Sequence, residues 1–547
     1  MAFDRRVTRP GRRVAALVTL AFVAVAYLWP LGAIVERSLL GGPGLQRLSW
    51  SLVGATLSDA RLGRLLRFTL WETALSVVAT LAVGLPLAWV MGRFEFRGRR
   101  LLMTMCIVPF VLPTVVVGTA IASLAPSASI IGGESGSTNL ALIVAAHVFL
   151  NIGIVVRTVA AFVSSIDPAL EAAARSLGRS RLGALRSVVA PLARPVIAAV
   201  ALIVALFTLT SFGIIVALGG ASQGTIEVEI WYQTTQLLHL PAAMILTLAQ
   251  LIVVGLLVVT YQRLVGGRTR GGGAGLASRR RPSGREKWAV VGATTIVTLV
   301  VGAPLLALVL RSLSFDGRWT LDHYRHLGST FAGTTLAVSP IEALRNSLVA
   351  GAVAGVIALA VAVPAAVASV AGGRLGRWVD RAVMLPLGTS AATIGFGFLV
   401  AFSGPLLDLR GTWVIVPIIQ ATVAVPIVVR ALVPALHAIP PAVIEAASTC
   451  GAGRVRRAVD VVAPLVRRPL VMAAGLAIAV SLGEFGATSF VSRADSPTVP
   501  IAIERLVHRP GAANVGQAMA LSCILAGLCA VVFGVVDLIA EGRTGEF

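Results

Sequence analysis

The chain has 547 residues, of which 57% are hydrophobic and 13% charged, and its mean hydropathy is +0.89. A soluble chain of this length is expected to form several domains with about half of its residues apolar, so this composition excludes an ordinary soluble protein. The formal net charge is +22, but the arginines stand in short clusters between apolar runs, which speaks against a nucleic-acid partner. The four cysteines, Cys106, Cys450, Cys523 and Cys529, lack the spacing of a metal site or disulfide framework.

Twelve apolar runs are long enough to cross a membrane. A bilayer core of about 30 Å needs about 20 apolar residues in a helix, which satisfies its own backbone hydrogen bonds. The runs lie near residues 14–36, 68–92, 101–124, 139–163, 193–217, 241–262, 288–310, 346–371, 382–403, 412–436, 465–487 and 515–539. We interpret the first as an uncleaved span, because no small-residue cleavage site follows it.

The arginines predict the orientation. They cluster near the N-terminus and in the loops at 93–100 and 164–192, whereas the loops at 125–138 and 218–240 contain no lysine or arginine. Basic residues are enriched in short cytoplasmic loops. Both termini are therefore expected to be cytoplasmic.

The chain also repeats itself. Four segments recur at an offset of 273, the pairs being 154–157 with 427–430, 191–192 with 464–465, 211–213 with 484–486, and 225–230 with 498–503. Leu70 and Pro86 match Leu348 and Pro364 at an offset of 278. Several anchors in one register predict a tandem duplication, and parallel repeats place a pathway at their interface.

The duplication divides the chain into two six-span halves. We expect the first half at 1–264, with a core at about 68–262, and the second at 288–547, with a core at about 345–540. Between them, residues 265–287 are rich in Gly, Ser and Arg and are predicted to be a flexible, basic cytoplasmic linker.

One loop in each half has an unusual pattern. The segments at 168–178 and 441–451 each begin with proline and continue through a glutamate and an alanine-rich stretch to a glycine. This order predicts a short helix and a sharp turn, followed by an arginine-rich helix on the membrane surface. A simple interfacial loop with snorkelling arginines is the alternative, and two copies in register make it less favourable.

These loops resemble the EAA motif of ABC-importer permeases, in which a short coupling helix fits a groove on the ATPase subunit. The second copy, Glu445 to Gly451, has the family's spacing; in the first copy, alignment on Gly178 puts Ala172 at the glutamate position, one residue after Glu171. The resemblance implies an all-α integral membrane protein of the bacterial cytoplasmic membrane, with two tandem type I permease halves. It implies these ATPase-docking residues: Glu171, Ala172, Ala173, Gly178, Glu445, Ala446, Ala447 and Gly451.

The same resemblance implies the partners and the substrate. Two copies of an ABC ATPase and an extracytoplasmic substrate-binding protein are expected, with the loops at 125–138 and 218–240 as parts of the landing surface for the binding protein. In local sequence the chain most resembles the permeases of thiamine and ferric-iron importers. Residues 210–230 are similar to thiamine permeases, and residues 482–503 are also similar to molybdate and sulfate permeases. Ferric iron or thiamine is therefore the expected substrate, and an oxyanion is less favoured.

The chain cannot hydrolyse ATP by itself through a phosphate-binding loop. The motif G-x-x-x-x-G-K-[ST] needs a lysine, and the single lysine, Lys287, lies between Glu286 and Trp288. We therefore expect no enzyme activity and no cofactor or metal in this chain, with ATP bound by a partner.

The main alternative is a secondary transporter driven by an ion gradient. Such a protein needs paired ionisable residues near the bilayer midplane. The candidates, Glu72, His147, Arg157, Arg430 and Glu484, are sparse, and most lie near predicted span ends. A membrane-embedded enzyme is a further alternative, but the six histidines show no H-E-x-x-H spacing.

Four polar residues are candidates for lining the pathway: Ser211, Glu484, Thr389 and Ser390. A charge at the centre of a membrane helix costs about 2.5 to 3.5 kcal/mol on insertion scales, so an intramembrane glutamate predicts a function. The alternative is that Glu484 lies at the outer end of its span and is solvated.

Overall fold

The computed structural model of the protein describes residues 9–40, 54, 58–125, 136–219, 224–266, 279–315, 317–329, 336–403, 408–409, 411–509 and 511–541. The helices of the first half are α1 Arg9–Val23, α2 Trp29–Leu40, α3 Ala60–Arg93, α4 Arg99–Val111, α5 Thr114–Ala122, α6 Gly136–Ser165, α7 Pro168–Ser176, α8 Arg181–Ala184, α9 Ala190–Leu209, α10 Gly213–Leu218, α11 Ile226–Thr235 and α12 Leu240–Gly266.

The second half follows the same plan. Its elements are α13 Glu286–Val297, α14 Ala303–Ser312, β1 Ser314–Phe315, β2 Arg318–Trp319, α15 Asp322–Arg325, α16 Pro340–Val370, α17 Gly373–Met384, α18 Ala391–Ala401, α19 Ile415–His437, α20 Pro441–Thr449, α21 Arg454–Arg456, α22 Ala463–Gly483, α23 Val499–Val507 and α24 Ala512–Glu541. The two short strands pair antiparallel, with Ser314 opposite Trp319 and Phe315 opposite Arg318. Single π-helical turns at Ala24–Leu28, Leu185–Val189, Thr298–Gly302 and Arg457–Val462 join consecutive helices.

The prediction of about twelve membrane helices is confirmed. Among the described residues, ten helical segments are long and apolar enough to cross a membrane, and two bent pairs raise the number to as many as twelve. The ten are Arg13–Arg37, Ala60–Arg93, Asn139–Ser165, Leu185–Leu209, Leu240–Leu264, Glu286–Ser312, Pro340–Val370, Ile415–His437, Arg457–Gly483 and Ala512–Val535.

Two predicted spans, 101–124 and 382–403, are bent instead of straight. The axes of α4 and α5 meet at 105°, and those of the corresponding pair, Gly373–Gly388 and Ala391–Ala401, meet at 102°. The first bend falls at Leu112, which is extended at φ −71° and ψ 142° because the residue before Pro113 is disfavoured in helical geometry. The second falls at Ser390, whose side chain accepts a free N–H in the first turn of α18, from Thr393.

The short helices α11 and α23 are equivalent elements of the repeat, and they begin in the same way. Their first N–H groups are capped from a neighbouring helix, because Ile226 N donates to Thr69 Oγ1 at 3.3 Å and Val499 N donates to Ser347 Oγ at 2.7 Å. The two donors are related by the offset of 273 and the two acceptors by the offset of 278, so both sequence offsets hold in three dimensions.

This geometry corrects the expectation for the segment 218–240. The segment was predicted as a loop, but Ile226–Thr235 form α11, which buries Glu227 and Glu229. The carboxylate of Glu229 is paired with Arg61 at 2.9 Å. Most of the other expected landing segment, at 126–135, lies outside the described residues.

The packing of α3 against α6 contains a buried ionisable pair that the sequence analysis did not predict as a pair. Glu72 and His147 lie inside these helices and not near their ends, and both are fully buried. His147 Nδ1 is 2.6 Å from Glu72 Oε1, which also accepts a hydrogen bond from Ser76 Oγ at 2.8 Å. Close approach of the two helices puts the position of a Cβ on Gly84 only 2.7 Å from Val155 Cγ1.

The variant His147→Leu is expected to destabilise the protein by roughly 3–5 kcal/mol, since it leaves a buried carboxylate without its partner. The midpoint of thermal unfolding in detergent measures the effect. Replacing both partners, with Glu72→Met and His147→Leu together, should recover most of the loss, because an apolar pair needs no compensation. Equal loss in the single and the double variant would contradict this account.

Candidate functional site

Almost all side chains of helices α7 and α20 lie outside the buried core of the bundle. The two helices span Pro168–Ser176 and Pro441–Thr449, so each position in one has its equivalent in the other at the offset of 273. No side chain of α7 is buried, and Ile444 is the one buried residue that α20 contributes among those described. Proline at the first position suits the start of each helix, because its missing N–H would be unpaired there.

Both helices end on a left-handed glycine, as their sequence predicts. Gly178 has a φ of 81° and Gly451 a φ of 76°, and open space surrounds the position of a Cβ at each. Each turn closes with equivalent backbone hydrogen bonds, which are Gly178 N to Arg175 O at 3.0 Å, Arg179 N to Ala174 O at 3.2 Å, Gly451 N to Ser448 O at 3.1 Å and Ala452 N to Ala447 O at 3.0 Å. The two loops therefore present the same exposed backbone shape.

The glutamates of the two helices are not equivalent. Glu171 corresponds to Ile444, whereas Glu445 corresponds to Ala172. Ile444 is buried and Glu171 is partly buried in an ion pair with Arg93, so this position faces the bundle in both halves. Glu445 lies on the exposed side of α20. Glu171 is thus placed to hold its helix to the bundle, one position before the residue that matches Glu445.

Part of the segment predicted to be a flexible linker pairs with the connection between α3 and α4. Helix α12 continues through Gly266, residues 267–278 lie outside the described residues, and α13 begins at Glu286. Between them, Arg280 pairs in parallel with Phe94, with Arg280 N donating to Arg93 O at 3.2 Å and Glu95 N donating to Arg280 O at 2.9 Å.

The side chain of Arg280 also contacts Glu286 and the ring of Phe94. It forms two hydrogen bonds with Glu286, at 2.6 Å and 2.5 Å, and lies 5.1 Å from the centre of the Phe94 ring. The bond to Glu286 raises the pKa of Arg280 above its ordinary value, so this cation stays charged. A cavity of about 730 Å³ separates this segment from α7, and its lining includes Trp89, Arg93, Glu171, Arg280 and Glu286.

Loss of the Glu286 side chain should loosen the 279–285 segment. Glu286→Ala removes both hydrogen bonds to Arg280, so we expect trypsin to cleave after Arg279 and Arg280 several times faster than in the wild type. Glu95→Ala is the matched control, because Glu95 forms only a 3.8 Å contact with Arg279 and should change the rate little. Mass spectrometry of the released peptides measures both rates; equal cleavage in wild type and Glu286→Ala would contradict the role of this pair.

The structure brings some of the candidate pathway residues together. Ser211, Glu484 and Ser390 are buried close to the boundary between the halves, whereas Thr389 hydrogen-bonds with Tyr27 of the first span. Glu484 is 7% exposed and is not solvated. Its carboxylate accepts Ala487 N at 2.7 Å and Thr488 N at 2.9 Å, so it caps the turn that follows α22.

Sequence reasoning missed the aromatic centre beside these residues. Phe212 and Phe485, which are equivalent positions of the repeat, stack with their ring centres 5.2 Å apart and an interplanar angle of 26°. Trp231 and Phe212 form a T-shaped pair with their ring centres 5.9 Å apart, and the ring centres of Phe490 and Phe212 are 6.4 Å apart. The repeats Ser211-Phe212-Gly213 and Glu484-Phe485-Gly486 were the available signal, since equivalent residues can meet only on the axis between two parallel repeats.

Comparison with known proteins identifies the class. The profile of the family described as binding-protein-dependent transport system inner membrane component matches twice, at residues 84–271 and 356–544. These matches cover most of both halves. The chain therefore belongs to this family of ABC-importer permeases, and the ion-driven alternative is not favoured even though the structure contains the buried Glu72–His147 pair.

Individual relatives refine the comparison. The chain is 27% identical to the thiamine transport system permease protein of Brucella suis biovar 1 over 546 residues, covering 96% of each chain. It is 29% identical over 226 residues to the sulfate transport system permease protein of Salmonella typhimurium, covering 40% of this chain and 79% of the relative. A probable molybdenum ABC transporter permease protein of Haloferax volcanii is 29% identical over 235 residues, covering 42% and 82%.

Proposed function

We propose that this single chain forms the complete translocation pathway of a thiamine importer, and that one ATPase subunit docks on each of α7 and α20. The observation that carries the docking proposal is the pair of exposed helices at equivalent positions in the two halves, each closed by a left-handed glycine. A permease half with one such helix would normally need a second copy, whereas this chain supplies both.

The surface chemistry of the two helices supports close docking. Ala172, Ala173 and Ala446 are exposed and Ala447 is half-buried, so small side chains cover the faces that a partner would meet. Small residues allow helix backbones to approach closely. ATP would bind and be hydrolysed on the partner, and ATP-driven approach of the two subunits would move α7 and α20 together and rock the halves about their common axis.

The relatives favour thiamine over the other substrates expected from the sequence. The thiamine permease of Brucella suis aligns over 96% of both chains, whereas the sulfate and molybdenum permeases align with less than half of this one. We therefore propose thiamine in place of ferric iron, with an oxyanion as the weaker candidate.

The proposed orientation puts α7 and α20 in the cytoplasm of a bacterium, together with both termini. Arginines near these helices support it, with Arg175 and Arg179 at the end of α7 and Arg456 and Arg457 after α20. An extracytoplasmic binding protein would then deliver substrate to the opposite face. There Arg493 bonds to Asp495 and to the carbonyl oxygen of Gly411, at 2.7 Å, and so ties two outer loops together.

Docking can be tested at Gly451. Gly451→Asp introduces a carboxylate and a strained left-handed residue at the end of α20, and should leave the protein in the membrane while abolishing ATPase association and transport. Gly98→Asp is the matched control, because Gly98 is also exposed, has a φ of 89° and lies outside both docking helices. Co-purification of the ATPase with the Gly451→Asp variant at the wild-type ratio would show that α20 is not a docking helix.

Substrate choice can be tested by uptake into liposomes that contain the permease, its ATPase and its binding protein. We expect ATP-dependent accumulation of radiolabelled thiamine, with no competition from excess ferric citrate, sulfate or molybdate. Accumulation of one of these competitors without thiamine would reject the thiamine assignment but would leave the docking proposal intact.

A further inference from the structure

We propose that the aromatic centre at the boundary between the halves, together with Glu227, is a binding site for a flat organic cation on its way through the membrane. The proposal rests on the proposed function and adds to it the residues that recognise the cargo. The site consists of Phe212, Phe485, Trp231 and the carboxylate of Glu227.

The aromatic residues provide a surface that both halves share. Phe212 and Phe485 stack across the boundary, and Trp231 stands against Phe212. The local packing is tight, because a Cβ on Gly213 would lie 3.1 Å from Phe485 Cδ1 and one on Gly486 would lie 3.7 Å from Phe212 Cδ1. Aromatic faces attract cations and stack on planar rings. In this closed arrangement the two phenylalanines fill the space that a planar cargo would occupy between them.

Glu227 supplies a buried carboxyl group beside this surface. It is fully buried and lies on α11 one helical turn before Trp231, so the two side chains share one face of the helix. Its Oε1 accepts a hydrogen bond from Gln250 Nε2 at 2.5 Å, whereas Oε2 has no hydrogen-bond partner among the described residues. No described arginine, lysine or histidine forms an ion pair with it. Burying a carboxylate without a cation costs free energy, so this position favours a positively charged ligand.

Buried polar atoms without a hydrogen-bond partner among the described residues recur in the equivalent segments 208–225 and 481–498. Buried hydroxyl oxygens without a partner among the described residues occur at equivalent positions of the repeat, Thr208 with Ser481 and Thr225 with Thr498. Ser211 Oγ and Trp231 Nε1 are also buried and unpaired in that part of the chain. Buried polar groups normally have hydrogen-bond partners. The unpaired hydroxyl groups recur in both halves, and water or a bound cargo molecule can supply their missing hydrogen-bond partners.

The other buried glutamates near the boundary do not fit the role of counter-charge. Both oxygens of Glu484 are used by the turn at Ala487 and Thr488, and Glu229 is paired with Arg61. The position equivalent to Glu227 in the second half is Pro500. The site therefore offers a single carboxylate without a cation, which suits one positive charge and disfavours sulfate or molybdate.

The test compares uptake of radiolabelled thiamine by liposomes that contain the complete importer with wild-type or variant permease. Glu227→Gln keeps the size of the side chain and removes the carboxyl group that can become charged, and should lower uptake at least tenfold while ATPase co-purification is retained. Glu229→Gln is the matched control on the same helix and should stay within twofold of the wild type. Trp231→Phe should retain most uptake, whereas Trp231→Leu should lose it, which separates an aromatic role from simple packing.

Unchanged uptake by Glu227→Gln would overturn the proposal. If the wild-type importer carries choline or another organic cation but not thiamine, the substrate assignment is wrong, and the same variants tested with that cation decide the site. If the wild type carries only sulfate or molybdate, both the substrate assignment and the cation site are wrong.

Discussion

Inside a bilayer, each backbone N–H and C=O group must find a partner within the protein, and the centre of this permease depends on how its broken helices meet that requirement. The short helices α11 and α23 begin inside the protein, where Thr69 and Ser347 accept their first N–H groups. Glu484 does the same for the turn after α22. Because these caps come from side chains, irregular backbone can line the boundary between the halves without leaving these N–H groups unpaired.

The duplication gives the two halves one shape but different chemistry. Helices α7 and α20 have matching bounds and matching turns, yet Glu171 forms an ion pair with Arg93 where the second half has buried Ile444. The segment around Arg280 pairs with Phe94 and lines a cavity that it shares with α7. One fused chain can maintain such differences, because each half always meets the same partner half.

The sequence predicted the features that depend on local pattern. Apolar length located the membrane helices, proline and glycine located α7 and α20, and the offsets of 273 and 278 located the repeat. The runs at 101–124 and 382–403 were each predicted as one span, because hydropathy cannot show that the chain changes direction at Leu112 and Ser390. Glu72 lies deeper in its helix than the apolar run at 68–92 indicated, because α3 starts at Ala60. The stack of Phe212 on Phe485 depends on contacts between residues far apart in sequence, and no local pattern contains it.

In the proposed importer, one chain provides both halves of the pathway and both docking helices. The mass of the intact importer, measured by native mass spectrometry after extraction with its ATPase, tests it most directly. The account predicts one 56.5 kDa permease chain with two ATPase subunits. A complex that contains two permease chains, or one permease chain that saturates with a single ATPase, would contradict it.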